Sequence, residues 1–153
     1  MVQSILAALV ILVIAGPLAA GDLSRSAPDP SLSPKDVVHI VMTALRHNDT
    51  PGPDRGIEVT FGFASPANKQ TTGPFARFKA MVKGPAYGVM VGHRSVTYEK
   101  YNVSGDHARI DAVLVAADGR SYGFRFGLTR QRGNRFEGFW MTDSVVPIEV
   151  VTL

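Results

Sequence analysis

The carboxylate best placed for chemistry in this sequence is Asp143, which follows a run rich in aromatic and apolar residues. Burial in an apolar cavity raises the pKa of a carboxylate and lets it act as a general base. If Asp143 faces a cavity beside Phe124 and Met141, it could take a proton from an apolar ligand. We favour the plainer interpretation, in which Asp143 is hydrogen-bonded at a strand end or paired with an arginine.

The residues expected to form the walls of such a cavity carry aromatic or long side chains on the predicted strands. This ligand-binding set is Tyr98, Tyr122, Phe124, Arg125, Trp140 and Met141. Trp140, the only tryptophan, is more typical of a core or a cavity wall than of a stacking platform.

The sequence contains no motif for metal binding, nucleophilic catalysis or phosphate binding. The four histidines are dispersed without metal-ligand spacing, and there is no cysteine. No nucleophile elbow or phosphate-binding loop is present. The sequence therefore predicts no metal site and no cofactor. His93 and Arg94 could form the rim of a pocket, and a solvated strand end explains them equally well.

The net charge is +3 and the estimated pI is 9.4, but the positive charges are scattered. Arg130, Arg132 and Arg135 cluster at one predicted turn, which is typical of a solvated hairpin tip. No stripe of basic and aromatic residues accompanies them, so we expect no nucleic-acid partner.

Four consecutive strands must position these residues. Val, Tyr, Phe and Thr are frequent in each run, and glycine paired with Asp or Asn, as hairpin turns require, lies between the runs. The predicted strands are His93–Val103, His107–Ala116, Arg120–Gln131 and Arg135–Val146. Three successive hairpins predict an antiparallel meander.

The second hairpin has a preferred register. A three-residue loop, Ala117-Asp118-Gly119, sets Ile110, Ala112 and Leu114 against Phe126, Phe124 and Tyr122. The same register sets Asp111 opposite Arg125 on the other face. One face is then apolar and the other carries an ion pair, as a half-buried sheet requires.

The third hairpin leaves two registers open. A two-residue Gly133-Asn134 turn places Phe139, Met141 and Asp143 on the apolar face. A three-residue loop that includes Arg132 places Phe136 and Trp140 there instead and turns Asp143 outward. A slip of one residue exchanges the two sets, and a bulge would blur both.

Helices are predicted before the sheet. Ser33 and Pro34 begin a helix with an apolar stripe, which ends near Asn48, and His39 is expected off that stripe. A second helix is predicted over residues 57–64, although its alternating residues also fit a strand, followed by a brief turn from Ser65 through Asn68. A further helix is predicted from Thr72-Gly73-Pro74 to Gly84-Pro85.

The chain of 153 residues is long enough for one domain. Residues 1–21 resemble a signal peptide, because residues 5–20 are apolar and fall short of the roughly 20 needed to span a bilayer. Without a Lys or Arg before them, an uncleaved membrane anchor is the alternative. We expect a flexible linker over residues 22–33, the domain over 34–147 and a C-terminal tail over 148–153. The expected location is an exported one, periplasmic or secreted, or membrane-anchored if residues 5–20 are retained.

Three segments carry a resemblance to a known family. Phe63–Asn68 reads Phe-Ala-Ser-Pro-Ala-Asn, Thr72–Val82 reads Thr-Gly-Pro-Phe-Ala-Arg-Phe-Lys-Ala-Met-Val, and Phe139–Asp143 reads Phe-Trp-Met-Thr-Asp. Together with the helix Ser33–Asn48, they resemble the domain of unknown function 4864 family over Ser33 to Val146. The resemblance implies an α+β fold, with N-terminal helices packed on a curved four-stranded antiparallel meander, among the cystatin-like or nuclear transport factor two-like cone folds. It carries no catalytic residue across.

Cone folds include isomerases, dehydratases and binding or assembly domains, so the fold alone does not select an activity. We expect non-catalytic binding of a small apolar ligand or a protein partner. The first alternative is an isomerase- or dehydratase-type enzyme that uses Asp143 as its general base. The second is a homodimeric assembly module that associates through the open face of the sheet.

Overall fold

The computed structural model describes residues 27–150 of the chain, in which helices precede a single sheet. The helices are α1 (Pro34–Arg46), α2 (Arg55–Gly62), α3 (Pro66–Thr72) and α4 (Phe75–Val82), with a short 3-10 helix at Gly88–Met90. The strands are β1 (Ser95–Ser104), β2 (His107–Val115), β3 (Ser121–Arg130) and β4 (Trp140–Ile148). The predicted signal peptide or anchor lies outside the described residues. Within residues 27–150, no helix has the length and apolar character needed to cross a membrane.

Helix α1 begins where the sequence predicts. The Ser33 hydroxyl accepts a hydrogen bond from the Asp36 amide, and the Asp36 carboxylate accepts one from the Ser33 amide at 2.8 Å. This reciprocal arrangement satisfies backbone donors that the first turn leaves free. The helix packs one stripe into the core and keeps His39 exposed. Its buried side chains are Val37, Val38, Val41, Met42, Ala44 and Leu45.

Helix α2 packs directly on α1 because Gly56 has no side chain. A Cβ at Gly56 would lie 2.0 Å from the carbonyl oxygen of Ala44. The buried Asn48 joins the same two helices, since its backbone carbonyl accepts from the Gly56 amide and its side-chain oxygen accepts from the Ile57 amide. The segment is thus a helix rather than a strand, as predicted.

Helix α3 is longer than the brief turn predicted for it. Ser65 caps its N-terminus by accepting from the Asn68 amide, and Pro66 occupies the first turn. The helix continues to Thr72, because nothing in residues 66–72 interrupts it before Gly73. Helix α4 follows at the predicted place.

The sheet is antiparallel in the order β1-β2-β3-β4. Ile110, Ala112 and Leu114 lie opposite Phe126, Phe124 and Tyr122, which confirms the predicted register. Asp111 lies opposite Arg125, and the three-residue loop ends at Gly119 with φ of 82°. Only glycine adopts such a backbone readily.

The third hairpin has neither of the registers considered. Residues 131–139 form a closed loop instead of a tight turn, so the predicted strand from Arg135 begins only at Trp140. Backbone hydrogen bonds from Gln131 to Phe139 and from Gly138 to Gln131 close this loop. Gly133 and Gly138 both have positive φ, and the Phe136 and Phe139 rings pack edge to face. This local packing displaces the strand pairing that alternation alone suggests.

The core lies between the helices and one face of the sheet. Alternate residues of β2 and β3 are buried there, namely Ala108, Ile110, Ala112, Leu114, Phe124, Phe126 and Leu128. They pack in one cluster with the buried stripe of α1, with Ile57, Val59 and Phe63, and with Phe78 and Val82. The fold is therefore α+β, as the sequence predicts.

Candidate functional site

A cavity of about 590 Å³ lies between the helices and strands β3 and β4. Its walls are mostly apolar, because α1, α3 and α4 and the 3-10 helix all direct apolar side chains toward it. The apolar and aromatic lining residues are Val41, Leu45, Ala67, Phe78, Met81, Val82, Tyr87, Met90, Phe126 and Val145. This is the cavity meant in the following paragraphs.

Most polar side chains that line the cavity are already hydrogen-bonded within the protein. Thr60 and Thr72 donate to the carbonyls of Gly56 and Asn68. Other such groups are held similarly: Asn68 donates to Thr142, Thr71 to Ala67, Tyr87 to Val145 and Gln131 to Thr129. These hydrogen bonds stabilise the walls and occupy the hydroxyl donors, although the hydroxyl oxygens keep lone pairs that can accept.

Asp143 and Ser144 differ from these residues. Both line the cavity, and the side chain of neither forms a hydrogen bond or ion pair with the residues that the structure describes. Asp143 is half-buried. A half-buried carboxylate without a partner costs free energy unless water or a ligand satisfies it.

A β-bulge places Asp143 at the cavity. Leu128 lies opposite Thr142 and Gly127 lies opposite Ser144, so Asp143 is the extra residue of β4. A bulge leaves its extra residue unpaired and redirects a side chain. Asp143 also borders a second, more polar groove of about 400 Å³ that includes His107 and Arg109.

The segment that precedes α3 holds this bulge in position. The Thr142 amide donates to Phe63 at 2.9 Å, and the Thr142 carbonyl accepts from the Ser65 amide at 2.8 Å and from the Asn68 side chain at 3.0 Å. Ala64 and Thr142 thereby form a parallel bridge on the outer edge of β4. The residue next to Asp143 is thus fixed on both sides.

Of the predicted site residues, Asp143 is the one that lines the cavity within the described part of the chain. Phe124 is buried in the core and packs on the Tyr87 ring. Met141 is buried, Trp140 is half-buried against the core, and the Tyr122 hydroxyl donates to Asp118. The structure does not bring this set together around one ligand site, and its binding role stays a prediction.

Arg125 lies on the opposite face of the sheet from the cavity. Its guanidinium donates two hydrogen bonds to Asp111, at 2.7 and 2.8 Å. These hydrogen bonds, with the positive charge, lower the pKa of Asp111 below its usual range. This pair stabilises the sheet and leaves the cavity without an arginine among the described residues.

Tyr98 borders a separate groove of about 370 Å³ between α1 and β1. Its hydroxyl lies 3.5 Å from the Nδ1 atom of His39, and partial burial of the ring against α1, which leaves the residue 40% exposed, raises the pKa of Tyr98 to about 12. The phenol therefore stays protonated at neutral pH.

His93 is neither a pocket rim nor a solvated strand end. It is buried, and its Nδ1 atom lies 2.8 Å from the Met90 carbonyl oxygen. The Nε2 atom has no partner within the described residues. Burial lowers the pKa of His93, so the neutral ring is the folded form. The sequence carries no periodic signal that distinguishes such a histidine from an exposed one.

The basic cluster is a hairpin tip, as expected. Arg132 pairs with Asp106 and Glu137, Arg135 lies over the Phe136 ring at 4.6 Å, and Arg130 donates to the Gly138 carbonyl. These contacts use the arginines to hold residues 131–139 closed.

Several residues that line the cavity were not among the site residues predicted from the sequence. Gln131 and Thr129 lie next to the third hairpin, whose register was open, and Tyr87 lies in a segment without periodicity. Asn68 belongs to the Phe63–Asn68 segment that carries the family resemblance, so a signal for its importance was present. That signal could not indicate a contact with Thr142, which is distant in sequence.

Comparison with known proteins gives one match. Neither a curated protein nor a solved structure matches the chain. The model of a family described as a domain of unknown function, DUF4864, matches residues 31–148. The match covers helices α1 to α4 and all four strands, including the cavity and its bulge. The chain therefore belongs to the DUF4864 family.

Proposed function

We propose that this domain binds a small molecule with an apolar body and a cationic or hydrogen-bond-donating group, and that it does so without catalysis. The cavity volume of about 590 Å³ falls within the roughly 300–1,000 Å³ of ligand pockets. The observation that carries the proposal is the chemistry of its walls. They are apolar except for polar groups that are already hydrogen-bonded and for Asp143 and Ser144.

The unpaired carboxylate indicates the chemistry of the ligand. A protonated amine or another donor would satisfy Asp143 in partly desolvated surroundings, where charge-assisted hydrogen bonds are strong. The apolar walls would receive the rest of the molecule. A ligand that ends in a carboxylate would be repelled by Asp143.

Calorimetry with three compounds of one shape tests this proposal. We would titrate the full chain with 1-naphthylmethylamine, 1-naphthylmethanol and 1-naphthoic acid. We expect the amine to bind about tenfold more tightly than the alcohol, and the acid to bind least. In Asp143→Asn, binding of the amine should weaken about tenfold and binding of the alcohol should change little.

Two variants serve as controls. Asp118→Asn removes the same charge at an exposed loop away from the cavity, and the amine should bind it as it binds the wild type. Ala67→Trp should weaken the amine and the alcohol alike, because Ala67 is an exposed residue of α3 at the cavity wall. Equal losses for amine and alcohol in Asp143→Asn would contradict the role of the carboxylate. Absence of binding by all three compounds at millimolar concentration would contradict the proposal itself.

The same unpaired carboxylate favours a second candidate function, a proton-transferring enzyme that uses Asp143 as general base. Within the described residues, the other titratable side chain at the cavity is Tyr87, and its hydroxyl donates to the Val145 carbonyl at 2.9 Å. The site therefore offers a base without a free acid beside it, and we place binding first. Deuterium incorporation next to the carbonyl of 1-tetralone, dependent on protein and lost in Asp143→Asn, would reverse this order.

A further inference from the structure

Strand β1 is a sheet edge without a partner in the described part of the chain. It is the first strand of the sheet order, and its ten residues are exposed apart from the half-exposed Val96. Three of the five large apolar side chains with high exposure within residues 27–150 lie on it, Tyr98, Tyr101 and Val103 at 40, 43 and 43%. An edge of this kind is a template for pairing with another strand.

The sequence of β1 reads nearly the same in both directions. Ser95–Ser104 is Ser-Val-Thr-Tyr-Glu-Lys-Tyr-Asn-Val-Ser, with its centre between Glu99 and Lys100. If a second β1 ran antiparallel about this centre, serine would meet serine, valine would meet valine and tyrosine would meet tyrosine. Glu99 of each copy would meet Lys100 of the other. Aromatic pairs, hydroxyl pairs and opposite charges that face each other across two strands are stabilising.

The irregularity in β1 makes this pairing geometrically consistent. In two regular strands related by a two-fold axis perpendicular to the sheet, opposed residues must share parity, because side chains alternate between faces. Tyr98 and Tyr101 differ in parity, and so do Val96 and Val103. Between Glu99 and Asn102 the register with β2 shifts, and Lys100 has φ of 42°, so one extra residue changes the parity.

The contacts of β1 agree with that change. Val96, Tyr98 and Val103 lie opposite Leu114, Ala112 and Ala108, which are all buried on the helix side of the sheet. The Lys35 ammonium of α1 lies 4.3 Å from the centre of the Tyr101 ring, which places Tyr101 on the same side. The large apolar residues of β1 therefore all lie on one face of the sheet, namely Val96, Tyr98, Tyr101 and Val103.

We propose that two copies of this chain associate through antiparallel pairing of their β1 strands, to form one continuous sheet across a two-fold axis. Thr97 then lies opposite Asn102 of the second copy, and Tyr98 lies opposite Tyr101. The shift at Lys100 does not by itself select the partner, since the straight strand β2 pairs across it. The near-symmetric sequence of β1 and its charges select a second copy. A second copy has the same shift at the same place and the complementary charges. This interface differs from the open sheet face and is independent of ligand binding.

Cysteine cross-linking tests both the association and its register. The full chain has no cysteine, so Thr97→Cys and Asn102→Cys each introduce a single thiol at an exposed position. A mixture of the two variants should form a disulfide-linked dimer under mild oxidation. Each variant alone should not, because identical positions would lie about 15 Å apart, beyond the roughly 7 Å that a disulfide permits. Equal cross-linking in the separate variants and in the mixture would overturn the register.

Charge reversal tests the same interface in solution. Sedimentation equilibrium of the wild-type chain should show a monomer–dimer equilibrium. Glu99→Lys should raise its dissociation constant about tenfold or more, since it replaces two attractive pairs by two repulsive ones. The Glu99→Lys/Lys100→Glu double variant should restore the constant to within about threefold. A monomeric wild type at 100 μM, or self-association that Glu99→Lys leaves unchanged, would overturn the proposal.

Discussion

Two aspartates of the same sheet, Asp111 on β2 and Asp143 on β4, show how backbone pairing determines the role of a carboxylate. Asp111 lies in a regular ladder opposite Arg125, which donates two hydrogen bonds to it. Asp143 lies on a bulge, where regular pairing provides no opposite residue. The Asp111 carboxylate is bound by Arg125, whereas the Asp143 carboxylate has no hydrogen-bond or ion-pair partner among the described residues. The residue type is the same, and the position in the ladder makes the difference.

Removal of the Asp111 charge should destabilise the fold. The Asp111 side chain is 3% exposed and that of Arg125 is 36% exposed, so solvent weakens the pair. We expect Asp111→Asn to lower the free energy of unfolding by about 1 to 2 kcal/mol at pH 7, less than the roughly 3–5 kcal/mol of fully buried pairs. Urea unfolding measures this change.

The pH dependence follows from the lowered pKa of Asp111. Its contribution is complete above the usual value of 3.8 and is lost as pH falls through the lower folded pKa. The difference between wild type and Asp111→Asn should therefore shrink in acid. Asp106→Asn is the matched control, because it breaks an equally bidentate but exposed pair with Arg132 and should change stability much less. Equal effects of the two changes would contradict the importance of burial.

At the scale of elements, the backbone of α2 approaches that of α1 closely at Gly56. Asn48 holds the two helices together from one side, and the missing side chain of Gly56 allows the contact on the other. The packing of α2 on α1 therefore requires a residue without a Cβ at position 56.

A pair of glycines in α2 tests this statement. Gly56→Ala should lower the free energy of unfolding by about 2 kcal/mol or more, since its Cβ would lie 2.0 Å from the Ala44 carbonyl. Gly62→Ala meets nothing within 4 Å and should be neutral or stabilising by up to about 1 kcal/mol, because alanine favours the helix. Thermal and urea unfolding of both variants measure the contrast. A fold that tolerates Gly56→Ala as well as Gly62→Ala would show that the helices can separate.

The elements were predictable where local chemistry determines them. Ser33 with Pro34 begins α1, and Ala117-Asp118-Gly119 determines the register of β2 with β3, both as predicted. Ser65 with Pro66 begins α3, where only a brief turn was predicted. The last hairpin was not predictable, because the Phe136–Phe139 packing and the Asp106–Arg132 pair hold its loop closed. Asp143 was identified as a candidate, but its bulge depends on contacts between Thr142 and residues 63–68. The cavity walls come from α1, α3, α4 and β4, which alternation in single strands cannot place together.

At the scale of the whole molecule, His93, which is buried just before β1, should make stability sensitive to mild acid. Burial lowers the pKa of His93, so the folded state binds a proton less readily than the unfolded state, in which the pKa is near 6.5. The contribution of His93 to the free energy of unfolding should thus be fully present above the unfolded pKa. It should be lost as pH falls from there through the lower folded pKa.

Unfolding in urea at pH 7.5, 6.5 and 5.5 measures this dependence. His93→Leu should flatten the decline over that range, even if loss of the contact with the Met90 carbonyl lowers stability at every pH. His39→Leu, at an exposed position on α1, is the control and should keep the wild-type slope. A wild-type slope in His93→Leu would assign the decline to other groups.

The parallel bridge between Ala64 and Thr142 has a consequence for assembly. It covers β4 near its start, the Asp143 bulge interrupts the ladder beside it, and Pro147 has no amide proton to donate. The two edges of the sheet are thus unequal, and β4 presents no continuous row of free backbone groups. Within residues 27–150, the proposed pairing through β1 uses the open edge of each copy, and the interrupted β4 edge does not offer a comparable site for a third copy. Association should end at eight strands as a closed particle, and filaments should not form.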